Sequence, residues 1–344
     1  MIWHPLVAAI CVIDIATLVV LAHAAYTAVK VLMYWETGSP SPAQLRLEAL
    51  VDTASYSGRL VMLLQAGAAL LLVIAIAHVL PSFVPGAMCG TGVMQATGTL
   101  GWKALIFRAL ALLMLWLWFS IDSVNRRHPT PPLTQEASRF VVASVPFVAL
   151  AIWSTLQAVY GLNLHEPVNC CTVVYDQVAV SSDAKASPFF SDTVLVSATV
   201  LTLLLTVFLT LWVTIKPLPL KSFRYTFLMI SGVAWVFFAT LALVHVFASY
   251  HYGVLYHHCP WCLFLPEHSM VGYPLFTGLF LVLAESITIP AISASCRNIP
   301  QGQKSATLLI RRKALILGAG IAMYLALGIA PVLWWRVSYG VWMH

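Results

Sequence analysis

The chain of 344 residues is 60% hydrophobic and only 9% charged, with a mean hydropathy of +0.89 and a formal net charge of +6. Such a composition leaves too little polar surface for a soluble protein and predicts a polytopic membrane protein. Basic loops beside membrane spans account for the positive charge, so nucleic-acid binding is not needed to explain it. The sequence has no Gly-rich phosphate loop followed by Lys and Ser or Thr, which argues against an ATP-driven pump.

Eight apolar runs are long enough to cross a bilayer core, which takes roughly 20 helical residues. The runs are continuous rather than alternating, so they predict an all-α bundle of about eight transmembrane helices and not a β-barrel. The first run lacks a basic leader and a small-residue cleavage site, so we expect it to be retained. The predicted spans cover residues 6–33, 58–83, 102–123, 140–162, 190–216, 223–251, 272–294 and 312–337.

The basic residues predict the orientation of these spans. The odd-numbered loops and their flanks hold 14 of the 18 Lys and Arg residues. Because positive loops stay in the cytoplasm, we expect both termini and the even-numbered loops to face the periplasm across a bacterial inner membrane. A short amphipathic stretch in the first loop, residues 43–54, is expected to lie on the cytoplasmic interface.

The spans divide into two halves of four, residues 1–162 and 190–344, joined by an outward loop at residues 163–189. In this division the second and sixth spans are equivalent, and His78 on one and His245 on the other lie at similar depth. Two histidines facing each other across the axis between the halves would ligate a b-type haem. Packing or proton handling is the alternative role for such histidines.

The outward loops contain most of the cysteines: Cys89 in the second loop, Cys170 and Cys171 in the fourth, and Cys259 and Cys262 in the sixth. With Cys11 they make six thiols on the oxidising side of the membrane, a number compatible with disulfide chemistry. Adjacent Cys170 and Cys171 leave three alternatives open: an easily reduced vicinal disulfide, structural pairing of one of them with Cys89, or metal ligation.

The segment YHHCPWCLFLPEH, residues 256–268, has the highest density of side chains that can bind a metal or transfer protons or electrons. The two intervening residues bring the sulfurs of Cys259 and Cys262 together, as a disulfide that forms and breaks requires. Pro260 predicts the first turn of a short helix, and a helix N-terminus or a nearby imidazolium lowers a thiol pKa. We therefore expect Cys259 to be the more exposed, attacking thiol and Cys262 to be its buried partner.

The five residues CPWCL, Cys259 to Leu263, resemble the bacterial membrane thiol-disulfide oxidoreductases of the vitamin K epoxide reductase and DsbB type. The resemblance implies a Cys-x-x-Cys beside a quinone at the outer end of a transmembrane helix. It also implies a loop pair of cysteines, here Cys170 and Cys171, that relays electrons from a periplasmic thioredoxin-like partner. Those families use four or five helices, whereas eight are predicted here.

The same loop also offers metal ligands. His257, His258 and His268, together with Cys259 and Cys262, are more than enough for a tetrahedral zinc or copper site. Cys-x-x-Cys is a common zinc half-site, but a second such pair, or a histidine pair at zinc-finger spacing, is missing from the sequence.

Two acidic residues lie within the predicted spans, Asp14 in the first and Glu285 in the seventh. A carboxylate in the hydrocarbon region is costly, so it faces a partner, a cavity or a proton path. Both residues are candidates for supplying protons to a quinone, and the alternative is a hydrogen-bonded acid that locks two helices together. Arg108, early in the third span, either snorkels outward or pairs with an acid.

Three functions follow from these patterns. The first is a redox protein that exchanges electrons between the outward cysteines, a periplasmic thioredoxin-like protein and a membrane quinone. The second is a haem b subunit of a larger respiratory complex that docks a periplasmic cytochrome or iron-sulfur protein, and the third is a copper- or zinc-handling protein. We favour the first, because five loop cysteines on one face exceed what an electron-transfer subunit needs.

Overall fold

The computed structural model describes residues 4–36, 39–128, 131–168, 191–215, 219–254, 257–299 and 303–342. Within these ranges the chain is helical and has no β-strand, and eight helices are long and apolar enough to cross a membrane. The predicted all-α multi-pass bundle is confirmed. The spans are α1 (Pro5–Tyr34), α2 (Pro42–Phe83), α4 (Thr99–Asn125), α5 (Thr134–Tyr160), α6 (Asp192–Ile215), α7 (Arg224–Tyr252), α8 (Gly272–Cys296) and α9 (Gln303–Tyr339), and the short α3 (Gly90–Thr97) precedes α4.

The start of α2 differs from the prediction by more than four turns. The hydroxyl of Ser41 accepts a hydrogen bond from the backbone N–H of Gln44 at 3.2 Å, and Pro42 occupies the first turn. These two features begin a helix efficiently. The stretch 43–54 is therefore part of α2 and not a separate interfacial helix. Gly58 does not break α2, since it makes room for the indole of Trp118.

Three spans contain one π-helical turn each: Ala75–Val79 in α2, Leu243–Phe247 in α7 and Leu325–Ile329 in α9. A π-turn inserts an extra residue into an α-helix and often marks a functional position. The first of these turns contains His78 and the second contains His245. The wider turn changes the direction in which each imidazole leaves its helix.

The described chain forms two compact units that are interleaved in sequence. The first comprises Met1–Val79, Ala96–Leu164 and Ala291–Leu309, and the second comprises Leu80–Gln95, His165–Pro290 and Ile310–His344. In the first unit, an apolar core joins α1, α2, α4 and α5 through Leu21, Val61, Leu115, Val148 and their neighbours.

A buried ion pair crosses that core. Both terminal nitrogens of Arg108 donate hydrogen bonds to the carboxylate of Asp14, at 2.6 and 2.9 Å. It also donates to Gln65 at 3.2 Å and to Thr155 at 2.8 Å, so one guanidinium on α4 connects to all three other helices. Of the two alternatives for Arg108, pairing with an acid is the one found.

In the second unit, α7, α8 and α9 pack closely through small residues. A Cβ at Gly278 would lie 3.1 Å from the backbone oxygen of Gly320, so α8 and α9 approach almost backbone to backbone. Such close packing is typical of helix pairs in membranes, where small residues maximise van der Waals contact. Beside it, Lys313 of α9 donates to the carboxylate of Glu285 of α8 at 3.0 Å, and both side chains are buried.

A buried thiol cluster as the candidate functional site

Three cysteines from two connecting segments meet in the second unit. The sulfurs of Cys89, Cys259 and Cys262 all lie within 4.8 Å of one another, and the residues are 3%, 6% and 7% exposed. The Cys89 and Cys259 sulfurs are 3.5 Å apart, although 170 positions separate the two residues in sequence. None of the three sulfurs forms a disulfide within the described residues.

A glycine-dependent contact holds the segment around Cys89 against the Cys-Pro-Trp-Cys turn. Cys89 immediately precedes α3, whose first residue is Gly90. A Cβ at Gly90 would lie 2.6 Å from the indole of Trp261, so the Trp261 ring lies directly on the glycine backbone. This close approach places Cys89 near Cys259 and Cys262 of the turn.

The Cys-Pro-Trp-Cys segment forms a 3-10 helix, Pro260–Phe264, with Cys259 as its N-cap and Pro260 in its first turn. The short helix predicted from Pro260 is therefore present. The predicted difference in exposure is wrong, because Cys259 is as buried as Cys262 and its sulfur lies against Cys89 and Thr91. The hydroxyl of Tyr252 donates a hydrogen bond to the backbone carbonyl oxygen of Cys259.

The two thiols nevertheless differ electrostatically. Hydrogen bonds from the Cys262 and Cys89 thiols and from the Thr91 hydroxyl, whose oxygen is 2.9 Å from the Cys259 sulfur, lower the pKa of Cys259 despite its burial. The hydrogen bond that Cys262 donates to Cys259, together with burial, raises the pKa of Cys262. The structure therefore favours a thiolate at Cys259 and a protonated thiol at Cys262, the polarity that an attacking thiol and its partner require.

His257 lies beside the second thiol. Its Nε2 atom is 3.2 Å from the Cys262 sulfur, and its ring stands edge-on to Tyr252 with centroids 4.5 Å apart. Burial, with a smaller contribution from the nearby His268, lowers the pKa of His257. A neutral imidazole at this distance can take the proton of the Cys262 thiol, and the imidazolium so formed can return it to the thiolate.

The other two histidines proposed as metal ligands point elsewhere. The ring of His258 lies against that of His245, with centroids 6.4 Å apart, and the ring of His268 packs on Tyr252 at 4.5 Å. Burial lowers the pKa of both imidazoles. Within the described residues, the group close enough to share one metal ion consists of the three cysteines, and His257 lies at its edge.

The remaining predicted site residues fall outside this cluster. His78 belongs to the first unit and His245 to the second, and a haem between them stays a prediction. Cys170 and Cys171 lie outside the described residues. Asp14 and Glu285 are each held in a buried ion pair, with Arg108 and Lys313, and their proton-handling role stays a prediction.

Sequence reasoning missed three residues that shape these sites. Thr91 contacts the Cys259 sulfur, Tyr252 links His257 to His268, and Lys313 neutralises Glu285. Lys313 lies ten residues after Gln303, the first residue of α9. A signal for it existed in the sequence, because Lys313 is the last of three consecutive basic residues and is followed directly by an apolar run.

No family model, no curated protein and no solved structure matches this chain.

Proposed function

We propose that the protein is a membrane thiol-disulfide oxidoreductase in which Cys89, Cys259 and Cys262 form one redox centre. The observation that carries the proposal is the 3.5 Å separation of the Cys89 and Cys259 sulfurs, next to Cys262 in the same buried cluster. A disulfide needs sulfurs about 2.05 Å apart, so closing this gap takes a shift of roughly 1.5 Å. A rotation of one cysteine side chain can supply it.

Exchange within the cluster is possible because the three sulfurs lie within 4.8 Å of one another. When Cys259 and Cys262 are joined, Cys89, once it has lost its proton, attacks the Cys259 sulfur, and a Cys89–Cys259 bond forms as the Cys259–Cys262 bond breaks. The electron pair leaves on Cys262. His257, 3.2 Å from that sulfur, is placed to give it a proton when the imidazole is charged. The reverse step begins with the Cys262 thiolate, after His257 has taken its proton.

A membrane quinone is the proposed electron acceptor. Oxidation of the Cys259 and Cys262 thiols to a disulfide releases two electrons and two protons, which is the requirement for reducing one quinone to its quinol. A bilayer-embedded chain meets such a carrier directly. The resemblance of CPWCL to the vitamin K epoxide reductase and DsbB type supports this assignment, as does the position of the cluster between membrane spans.

The donor and the location of the cluster belong to the same proposal. With the basic residues on the inner side, the segments carrying the cluster face the periplasm of a bacterial inner membrane. The donor is then a periplasmic protein with a thioredoxin-like dithiol, which reduces the centre directly or through Cys170 and Cys171. The described connecting segments are short, so the donor docks on them as a separate molecule.

A second candidate function is soft-metal binding at the same sulfurs. Tetrahedral zinc thiolates with bonds of about 2.3 Å have sulfurs roughly 3.8 Å apart, which is close to the spacing found here. His257 is adjacent and would be the fourth ligand. In that case the three cysteines hold Zn²⁺ or Cu⁺ as thiolates and do not exchange disulfides.

One experiment separates these functions. The protein is purified in detergent, its metal content and its reduced absorption spectrum are measured, and the free thiols are counted by mass-shift alkylation before and after adding a short-chain benzoquinone. We expect the quinone to remove two alkylatable thiols with stoichiometric formation of quinol. Cys259→Ser abolishes this loss, whereas the matched control Cys11→Ser leaves it unchanged.

Other results contradict the proposal. One equivalent of zinc or copper that protects all three thiols from alkylation identifies the metal function. A reduced b-type absorption band that disappears in His78→Ala identifies the haem function. Full retention of quinone-dependent thiol oxidation in the Cys259→Ser variant excludes the redox centre described here.

A further inference from the structure

An open groove lies in the second unit beside the thiol cluster. It encloses about 500 Å³, within the range of small-molecule sites in proteins. Its lining combines the polar side chains of His251, His268 and Ser269 with Leu327, Ala330 and Trp334 of α9. The groove therefore offers both hydrogen-bonding groups and an apolar surface beside a membrane-spanning helix.

The charge of the lining favours a neutral ligand. Glu267 lies in the wall, and the residues that line the groove include no Lys or Arg. An anionic lipid headgroup would meet a carboxylate without a compensating cation. Two imidazoles can donate hydrogen bonds to carbonyl oxygens, and the indole of Trp334 offers an aromatic face for stacking. We propose that this groove binds the headgroup of a membrane quinone, with the isoprenoid tail lying along α9 toward the lipid.

A short chain of rings joins the groove to the thiols. The His268 ring packs on Tyr252 at 4.5 Å, Tyr252 packs on His257 at 4.5 Å, and His257 Nε2 is 3.2 Å from the Cys262 sulfur. This inference rests on the proposed redox function and locates its acceptor. One S–S bond forms between the Cys259 thiolate and the Cys262 sulfur as the Cys262 S–H bond breaks; the quinone gains the two electrons and that proton, takes its second proton from water, and leaves as quinol.

The rim of the groove is conformationally strained. Ser269 and Met270 have φ values of 57° and 51°, in the left-handed region that non-glycine residues seldom occupy. Two such residues in succession cost stability and persist where the surrounding structure imposes them, often at ligand sites. Here they turn the chain between His268 and α8, which holds the His268 ring over Tyr252.

The test uses a photoreactive short-chain benzoquinone with the full-length protein in detergent. We expect cross-links to residues of the groove. In Ala330→Trp, which fills the groove, the dissociation constant for the quinone should be at least tenfold larger. Leu333→Trp, on the exposed lipid-facing side of the same helix, is the matched control and binds as the unmodified protein does. His268→Ala serves as the second variant, so that the result does not depend on folding of Ala330→Trp.

The outcomes separate the groove from the redox centre. Ala330→Trp should keep oxidation of its thiols by diamide while losing oxidation by quinone. Cys259→Ser should keep quinone binding while losing thiol oxidation. Unchanged quinone affinity in both Ala330→Trp and His268→Ala, cross-links outside the groove, or displacement of the quinone by phosphatidylglycerol overturns the inference. Normal binding in the groove without thiol oxidation overturns the proposed function instead.

Discussion

Replacing Asp14 by Asn tests the buried ion pair of the first unit most directly. The substitution keeps the shape of the side chain and removes its charge, leaving Arg108, of which 2% of the side chain is exposed, without a counter-ion. Two of the four hydrogen bonds from Arg108 go to Asp14. Asn keeps one oxygen that can accept from Arg108, so one bond to a charged acceptor is lost, at about 1.5–3 kcal/mol. Because the variant also leaves the buried guanidinium without a counter-ion, we expect a total loss of about 3–5 kcal/mol, the typical penalty for breaking a buried pair.

The other two acceptors of Arg108 give a graded series. Thr155→Val removes a 2.8 Å bond and Gln65→Leu removes a longer one of 3.2 Å. We expect both to cost less than Asp14→Asn, with Gln65→Leu near the average of about 0.6 kcal/mol measured for side-chain hydrogen bonds in a membrane protein. The free energy of unfolding is measured by reversible SDS titration in mixed micelles.

An exposed pair provides the matched control. Arg139 and Glu136 have the same 2.6 Å nitrogen–oxygen distance as Arg108 and Asp14, but both side chains are substantially exposed. Arg139→Gln should cost less than about 1 kcal/mol. Combining Asp14→Asn with Arg108→Met should cost less than the sum of the single variants, because the second change removes the stranded charge. Strict additivity, or equal losses in Asp14→Asn and Arg139→Gln, would refute the argument.

Three further predictions address other parts of the chain. In the same SDS titration, Gly58→Ala should destabilise the protein by about 1–3 kcal/mol, because its Cβ would lie 2.3 Å from the Trp118 ring. The control Gly67→Ala, on the same helix, meets no atom within 4 Å and should stabilise the protein by about 0.5–1 kcal/mol. Lys313→Met should cost about 3–5 kcal/mol, and adding Glu285→Gln should recover most of it; no recovery in the double variant would exclude a charge-neutralising role. The three histidines of the sixth loop have lowered pKa values, so the unfolded chain binds more protons than the folded chain below pH 6.5. The melting temperature should therefore fall as the pH is lowered. Glutamine at all three positions should remove this dependence of the melting temperature on pH.

The helical architecture was predictable because it depends on composition over long windows. Eight apolar runs gave eight spans, and most boundaries agree within a few residues. The exceptions are the starts of α2 and α9, where amphipathic and basic sequence continues an apolar helix. Hydropathy alone cannot locate such a start, because the backbone hydrogen bonds of a helix persist beyond the hydrocarbon region. The Ser41 cap is the local signal that marks it in α2.

The site was predictable only as a set of residue types. The sequence placed Cys89, Cys259 and Cys262 in loops on one side, but the pairing of Cys89 with Cys259 depends on a contact between segments 170 residues apart. That contact depends on Gly90 lying against Trp261, and the sequence contains no local pattern that pairs these two residues. The exposure of Cys259 was mispredicted for the same reason, since its sulfur lies against Cys89 and Thr91, which are distant in sequence.

The ion pair between Asp14 and Arg108 also constrains how the protein is made. The two residues are 94 positions apart, so at a synthesis rate of about 5–20 residues per second α1 leaves the ribosome about 5–20 s before its basic partner. A charge at the centre of an isolated helix costs about 2.5–3.5 kcal/mol on insertion. During that interval Asp14 has no Arg108 with which to pair. The ion pair of the first unit therefore forms only after α4 has been made.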